Sequence, residues 1–302
     1  MSFIYISHRL DEIARIADRV AVLRDGKLVA LHETADLPIK TLVEEMVGRP
    51  LDRMFPALKQ VDGETLIEVE NLTSAEGAFS DISFSVKAGE VFGIAGIVGA
   101  GRTELVRGIA GVDPLASGSV KVAGTAIRLS SPRDALDKGI VLVPEDRKAQ
   151  GLVLDHSIAE NLALGNYPTV APSGWVSPKA VERFAADAIR RFGVKGAPGQ
   201  RAGQLSGGNQ QKVVIAKCIS RGPRVVILDE PTRGIDVGAR AAIYDVIKEL
   251  ADRGMAVIVV SSDLDEVLGL SNRVMVLNRG RNRGILPHER ASRVEVMELA
   301  TT

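Results

Sequence analysis

The two ends of this chain repeat one another. Residues 4–27 (IYISHRLDEIARIADRVAVLRDGK) align without a gap on residues 258–281 (IVVSSDLDEVLGLSNRVMVLNRGR), with ten identities in 24 positions. Each copy reads as a strand, a turn, an amphipathic helix and a second strand ending in a Gly turn. An internal repeat constrains a fold strongly, because the same unit should be built twice. The second copy closes a long unit that starts near Leu66, 196 residues before Ser262, whereas only seven residues precede His8 in the first copy. A first unit of equal size would need roughly 190 more residues. Met1 is therefore read as a truncated or misplaced start. The segment Gly48 to Gly63, with two prolines and mixed charge, reads as a linker.

Composition narrows the function classes. Among 302 residues, 38 Lys and Arg balance 38 Asp and Glu, which argues against broad electrostatic binding to nucleic acid or anionic membrane. Cys218 is the one cysteine, so there is no internal disulfide framework and a reducing compartment is expected. The apolar runs, such as Val225 to Leu228 and Met255 to Val260, are short; a spanning helix needs about 20 apolar residues. MSFIYISHRLDE has no charged-then-apolar signal pattern. The expectation is a cytoplasmic chain, or one peripheral to something else.

Within residues 64–290 the strands expected are Thr65–Glu70, Ile82–Val86, Glu90–Ala95, Val225–Leu228 and Ala256–Ser261. Helices are expected to about Ile109, across Asn161–Arg191 with a break at Tyr167–Pro178, from Asn209, and over Ala239–Leu250. Alternating strands and helices predict a mainly parallel sheet with helices on its faces.

Three motifs carry chemistry. Gly96-Ile97-Val98-Gly99-Ala100-Gly101-Arg102-Thr103 lies between a strand and a helix. It fits the phosphate-loop pattern G-x4-G-K-[ST], except that Arg102 stands at the lysine position. Gly96, Gly99, Ala100 and Gly101 would present backbone N–H groups to phosphate oxygens, helped by the helix N-terminus. Thr103 would ligate Mg²⁺. Arg102 keeps the charge, but its planar fork is not equivalent to an ammonium. The second motif, Val225 to Thr232, ends an apolar strand on Asp229 and Glu230. Ligands bind at that end of open parallel sheets; Asp229 would hold Mg²⁺ and Glu230 would polarise an attacking water. The third motif is Leu205-Ser206-Gly207-Gly208-Asn209-Gln210-Gln211, a Gly turn opening a helix.

LSGG followed by Gln, upstream of an apolar strand ending in Asp-Glu, resembles the signature of ATP-binding cassette (ABC) ATPases. The resemblance implies a P-loop NTPase of ABC ATPase type, an α/β fold with a mainly parallel sheet, helices on both faces, and antiparallel β and helical subdomains. It implies ATP and Mg²⁺ as cofactors. Ser206, Gly207, Gly208 and Gln210 would then face the γ-phosphate held by an opposing cassette, and Asp236 would lie in the loop between the two sites. His8 resembles the switch histidine, a catalytic position at which the second copy has Ser262. Glu145 occupies the glutamine-loop position, which in the family senses Mg²⁺ and touches the membrane subunit.

GAGRTEL, PEDRK, LSGGNQQK and DEPTRGIDVGA together resemble the second cassette of tandem bacterial ATPases that energise monosaccharide import. The implied organisation is residues 1–50 as the end of a first cassette, 51–63 as linker, 64–290 as the second cassette and 291–302 as a tail. The implied partners are membrane permease subunits, an external sugar-binding protein acting through them, and a first cassette or another copy completing each ATP site. The implied location is the cytoplasmic face of the bacterial inner membrane. Arg128–Lys138 and Asp155–Pro178 would flank the permease-docking surface. Arg102, Glu145 and Ser262 depart from an active consensus, and the nearest adenine-stacking candidate is Phe79. The second site is therefore expected mainly to bind ATP, and the chain alone to hydrolyse it poorly. A nucleoside importer, a non-catalytic remnant or regulatory cassette, and a soluble ABC protein of translation or DNA repair remain as alternatives. The last is disfavoured by the short linker and absent net positive charge.

Overall fold

The computed structural model describes residues 2–7, 10–24, 26–34, 37–48, 54–172 and 174–302. The first elements are α1 (Leu10–Ile16), the hairpin β1 (Arg19–Arg24) and β2 (Lys27–Glu33), and α2 (Ile39–Val47). The hairpin is a sheet of its own, and Val20, Val22 and Leu42 form a small separate core beneath it. The chain then runs through β3 (Thr65–Ser74), β4 (Ile82–Lys87), β5 (Val91–Gly96), α3 (Arg102–Ile109), β6 (Leu115–Val122), β7 (Thr125–Ile127), α4 (Pro132–Asp137) and β8 (Ile140–Val143). A π-helical turn at Arg147–Gly151 leads into α5 (Ile158–Ala163), α6 (Tyr167–Val170), α7 (Pro178–Phe192) and α8 (Gly207–Ile219). The last elements are β9 (Val225–Asp229), α9 (Val237–Asp252), β10 (Ala256–Val260), α10 (Leu264–Leu270), β11 (Arg273–Asn278), β12 (Arg281–Pro287) and α11 (Arg293–Thr301).

Six strands form the central sheet in the order β12-β11-β5-β10-β9-β8. All pairs are parallel except β11 with β12. β9 (VVILD) and β10 (AVIVV) are buried at every position, as expected where both faces of a parallel sheet are covered. Their residues alternate between two cores. Val226, Leu228, Val257 and Val259 pack with α5, α7, α8 and α9 on one face. Val225, Ile227, Ile258 and Val260 pack with α3 and the four-stranded antiparallel sheet β4-β3-β6-β7 on the other. β4 buries Ile82, Phe84 and Val86 and turns the residues between them outward, the pattern of a sheet with one dry face.

Most of the expected strands and helices are present, with differences: residues 4–7, read as the opening strand of the first repeat copy, form no strand, and a short helix, α6, occupies the start of the break expected at Tyr167–Pro178. α8 begins at Gly207, two residues before the expected Asn209; glycine costs little in a first turn whose N–H groups have no intrahelical partner. Within residues 291–302, α11 buries Val296 and Ala300 against Ala95, Val274 and Val276 of the sheet. Phe79, the aromatic candidate for stacking a base, is 2% exposed and sits in the core beside Leu105 and Ile109, so no ring face is open to a ligand. Among the described residues, no helix is long and apolar enough to cross a membrane.

The segment after residue 53 lies against the large unit. Phe55 stacks on Tyr244 with ring centroids 5.1 Å apart. Gly269 makes room for it, since a Cβ there would lie 2.4 Å from the Phe55 ring. Lys59 pairs with Asp252 at 2.8 Å, and Asn272 donates to the Lys59 carbonyl at 2.9 Å.

Candidate functional site

The C-terminal edge of the parallel sheet carries the first two motifs. β5 runs into the Gly-rich loop, which reaches α3 through Gly101 at φ 91°. A Cβ on Gly101 would also lie 2.5 Å from the Ala78 carbonyl, so both backbone conformation and space require glycine there. Gly101 is the N-cap of α3 and supplies no side-chain cap, which leaves first-turn N–H groups free to take an anion. The loop tip is open, Val98 being 88% exposed.

Asp229 ends β9 directly beneath this helix. Thr103 Oγ1 donates to Asp229 Oδ1 at 3.3 Å. The aspartate is 2% exposed, and burial pushes its carboxyl up to about 6, with the Thr103 hydrogen bond and Arg102 opposing and Glu230 reinforcing the rise. A buried carboxylate so poorly compensated fits a divalent cation. Among the described residues there is no cluster of three or more His, Cys, Asp or Glu able to hold a metal. Asp229 and the Thr103 hydroxyl are the protein oxygens the site offers a cation.

Glu230 follows in a left-handed conformation, φ 46°, uncommon for a residue with a side chain. Its N–H donates to Val260 at 2.8 Å. Its carboxylate is held on both sides: Ser262 Oγ donates to Oε2 at 3.0 Å, and Arg102 Nη2 lies 3.7 Å from Oε1. Arg102 is turned away from the loop mouth. It is 8% exposed, and its Nη1 donates to the Ser261 carbonyl at 2.5 Å. The structure thus brings Arg102, Thr103, Asp229, Glu230 and Ser262 together, but directs the Arg102 cation to the sheet edge.

The remaining expected residues lie elsewhere. Glu145 pairs with Arg233 and shares with Thr103 and Asp229 the wall of a cavity of about 1040 Å³, between α3 and α4 on one side and the helical lobe on the other. Ser206 is the exposed N-cap of α8; its side chain caps no helix N–H, its carbonyl accepts from the Gln210 N–H at 2.9 Å, and its Oγ accepts from Asn209 Nδ2 at 2.9 Å. Gly207 and Gly208 form the first turn of the helix. Gln210 points inward: it is 5% exposed and donates to the Ala202 carbonyl at 3.2 Å. Asp236 caps α9, accepting from the Ala239 N–H at 2.9 Å. His8 lies outside the described residues.

Two features went unmarked in the sequence. Arg147, within the PEDRK stretch, hydrogen-bonds two distant segments, α8 through Gln210 and the Arg233–Gly234 loop. Thr232 and Glu266 form a buried pair at 2.8 Å, and burial raises the Glu266 carboxyl. Nothing in local spacing signals either contact, since the partners are 34 or more residues apart.

A parallel sheet with a Gly-rich loop opening an uncapped helix, and a buried aspartate under that helix's first hydroxyl, defines a nucleotide-binding P-loop protein. The family profile described as ABC transporter matches residues 79–233. The chain belongs to the ABC transporter family, as an ATP-binding domain. It is 48% identical over 302 residues to the ribose import ATP-binding protein RbsA of Bacillus licheniformis, matching 100% of this chain and 61% of that protein. The ribose import ATP-binding protein RbsA of Bacillus subtilis is 45% identical with the same coverage. RbsA 2 of Streptomyces coelicolor is 49% identical, with 58% of its length covered. The chain thus spans about 60% of the length of these curated relatives. Among solved structures, an ATP-binding cassette of an ABC transporter superposes with a TM-score of 0.68 at 24% identity, over 78% of this chain and 98% of that one. CbiO1 of Clostridium perfringens, part of an ABC transporter complex, gives 0.63 at 24% identity, over 75% and 90%. At those identities the likeness shows the fold alone.

Proposed function

We propose that the chain is part of the ATP-binding, energy-coupling subunit of a monosaccharide importer, with ribose the first cargo to test. The observation that carries this reading is identity of 48% along the whole chain, not only its motifs, to a protein named for ribose import. The loop at residues 96–101 and the first turn of α3 would hold the ATP phosphates, with Thr103 and Asp229 on Mg²⁺. Glu145 would stand near that ion along the shared cavity. Its far walls, including Leu136, Leu142 and Leu164, offer permease subunits an apolar seat on the cytoplasmic face, and an external sugar-binding protein would act through them.

The second expectation concerns which site works. Glu230 would need a free carboxylate to accept a proton from water, and Ser262 and Arg102 already engage it. Residues 1–50 would belong to a first cassette. Ile4 and Ile6 are 95% and 92% exposed, while their repeat counterparts Ile258 and Val260 are fully buried in the sheet. A first cassette, in the same chain or another, would cover them. It would also bring a phosphate loop to His8 and to the Ser206-Gly207-Gly208 helix start.

Two measurements test these statements. The purified chain should bind a fluorescent ATP analogue in a Mg²⁺-dependent way yet show ATP turnover no greater than its Glu230→Gln variant; robust Glu230-dependent turnover would remove the degenerate-site reading. Disrupting the chain in its source cells should abolish uptake of labelled ribose. Unchanged ribose uptake with loss of nucleoside uptake would move the cargo to nucleosides.

A further inference from the structure

Arg147 sits where three segments meet. Its Nη1 donates to the Arg233 carbonyl at 2.7 Å, its Nη2 to the Gly234 carbonyl at 3.2 Å and its Nε to Gln210 Oε1 at 3.3 Å. A guanidinium presents these donors in one rigid plane, which a lysine ammonium cannot do. The notch exists because Gly207 has no side chain: a Cβ there would lie 2.9 Å from Nη2. Gln210 passes the contact on by donating to Ala202, four residues before Ser206. A second strap, the pair between Glu145 and Arg233, joins the same two loops.

The turn that carries Arg147 is itself held. The Asp146 carboxylate accepts from the Lys148 and Ala149 N–H groups at 2.9 and 3.0 Å. At its other end Lys217 donates to the Gly151 carbonyl. Residues 144–148 line the cavity of about 1040 Å³, so one face of this braced turn meets whatever occupies the cavity and the other meets the signature helix.

We infer that Arg147 is a positioning residue. It ties the loop lining the cavity to the Ser206-Gly207-Gly208 helix start and to the Gly234–Asp236 loop, so that all three move as one body. The functional side of this inference rests on the proposed role of Ser206–Gly208 toward a nucleotide; the mechanical side rests on the contacts. Removing the guanidinium should uncouple the two distal segments without touching the phosphate loop, from which Arg147 takes no hydrogen-bond partner.

Hydrogen exchange on the full chain tests this, comparing wild type with Arg147→Ala, Arg147→Lys and Gly207→Ala. In Arg147→Ala, amides of residues 206–211 and 233–237 should exchange about tenfold faster together. Residues 65–74 should keep their protection, and binding of a fluorescent ATP analogue should be unchanged. Arg147→Lys should fail to restore both segments. Gly207→Ala, whose Cβ would crowd the guanidinium, should give a smaller effect in the same two segments and add nothing when combined with Arg147→Ala. Unchanged exchange in both segments, a change in one alone, or a rise spread over the whole chain with a lower melting temperature would overturn the inference. If the wild-type chain binds no nucleotide, the proposed role of the 96–103 loop falls, while the paired exchange still decides whether Arg147 is the tie.

Discussion

Asp229 concentrates the chemistry of the site in one side chain. Burial lifts its carboxyl from 3.8 to about 6, so between those values the folded chain still holds a proton that the unfolded chain has released. Stability from this group is present below about pH 4 and is lost as the pH rises through about 6, a loss on the order of 3 kcal/mol above that range. Without divalent cations, Asp229→Asn should therefore melt at a higher temperature than wild type at pH 7.5, and the two should converge near pH 4. The asparagine oxygen can still accept from Thr103, so that hydrogen bond need not be lost. The same variant should bind an ATP analogue without Mg²⁺ dependence. A lower melting temperature at pH 7.5 would mean that the carboxylate is not under strain. The sequence already marked Asp229 and Thr103, because a carboxylate at a strand end and a hydroxyl after a Gly-rich loop are each recognisable locally. It also marked Arg102 as a substitution; that its guanidinium turns to Ser261 and Glu230 depends on a strand 159 residues away.

At the scale of elements, one ion pair joins strands that sit side by side in the sheet but far apart in sequence. Glu90, just before β5 and 2% exposed, meets Arg273 at the start of β11, with Nε to Oε1 at 2.6 Å and Nη2 to Oε2 at 3.2 Å. Arg273 also donates to the Ser85 carbonyl of β4 at 2.7 Å and lies over the Phe92 ring. The arginine thus links the parallel sheet to the antiparallel one. Arg273→Leu would strand a buried carboxylate and should cost about 3–5 kcal/mol in urea unfolding. Adding Glu90→Gln should recover part of the loss; a double variant no better than the single would locate the cost in lost packing over Phe92. β9 and β10 were legible in the sequence because apolar runs covered on both faces need no partner to be recognised. The start of α8 was not, because two glycines read as a loop until Arg147 and α9 are placed against them.

At the scale of the molecule, the two repeat copies differ: only the C-terminal one forms the opening strand, β10, whose counterpart at residues 4–7 is not a strand. In the C-terminal copy its strands complete a six-stranded sheet; in the N-terminal copy the hairpin has a small core of its own and its leading residues are exposed. What ties that part to the rest is local: α2 packs on α9, with the Met46 carbonyl against Gly238, and Phe55 rests on Tyr244 over Gly269. Phe55→Ala should speed trypsin cleavage after Lys59 several-fold, since the stacked ring holds that segment down, without altering nucleotide binding. Equal cleavage rates would mean that the Lys59–Asp252 pair and the Asn272 contact suffice alone.

Period, motif order and the repeat were enough to establish a parallel α/β nucleotide-binding fold and to mark Thr103, Asp229 and Glu230. These signals are local: the burial of a strand, the N-terminus of a helix and the glycine of a turn are written in neighbouring residues. Other features required the folded chain. They include the burial of Phe79, the inward turn of Gln210, the packing of α11 into the sheet, the Arg102 contacts with Ser261 and Glu230, and the three-way grip of Arg147. Each depends on partners brought together only when the sheet and helical lobe are assembled, and no spacing along the chain encodes a contact whose two halves lie on different elements.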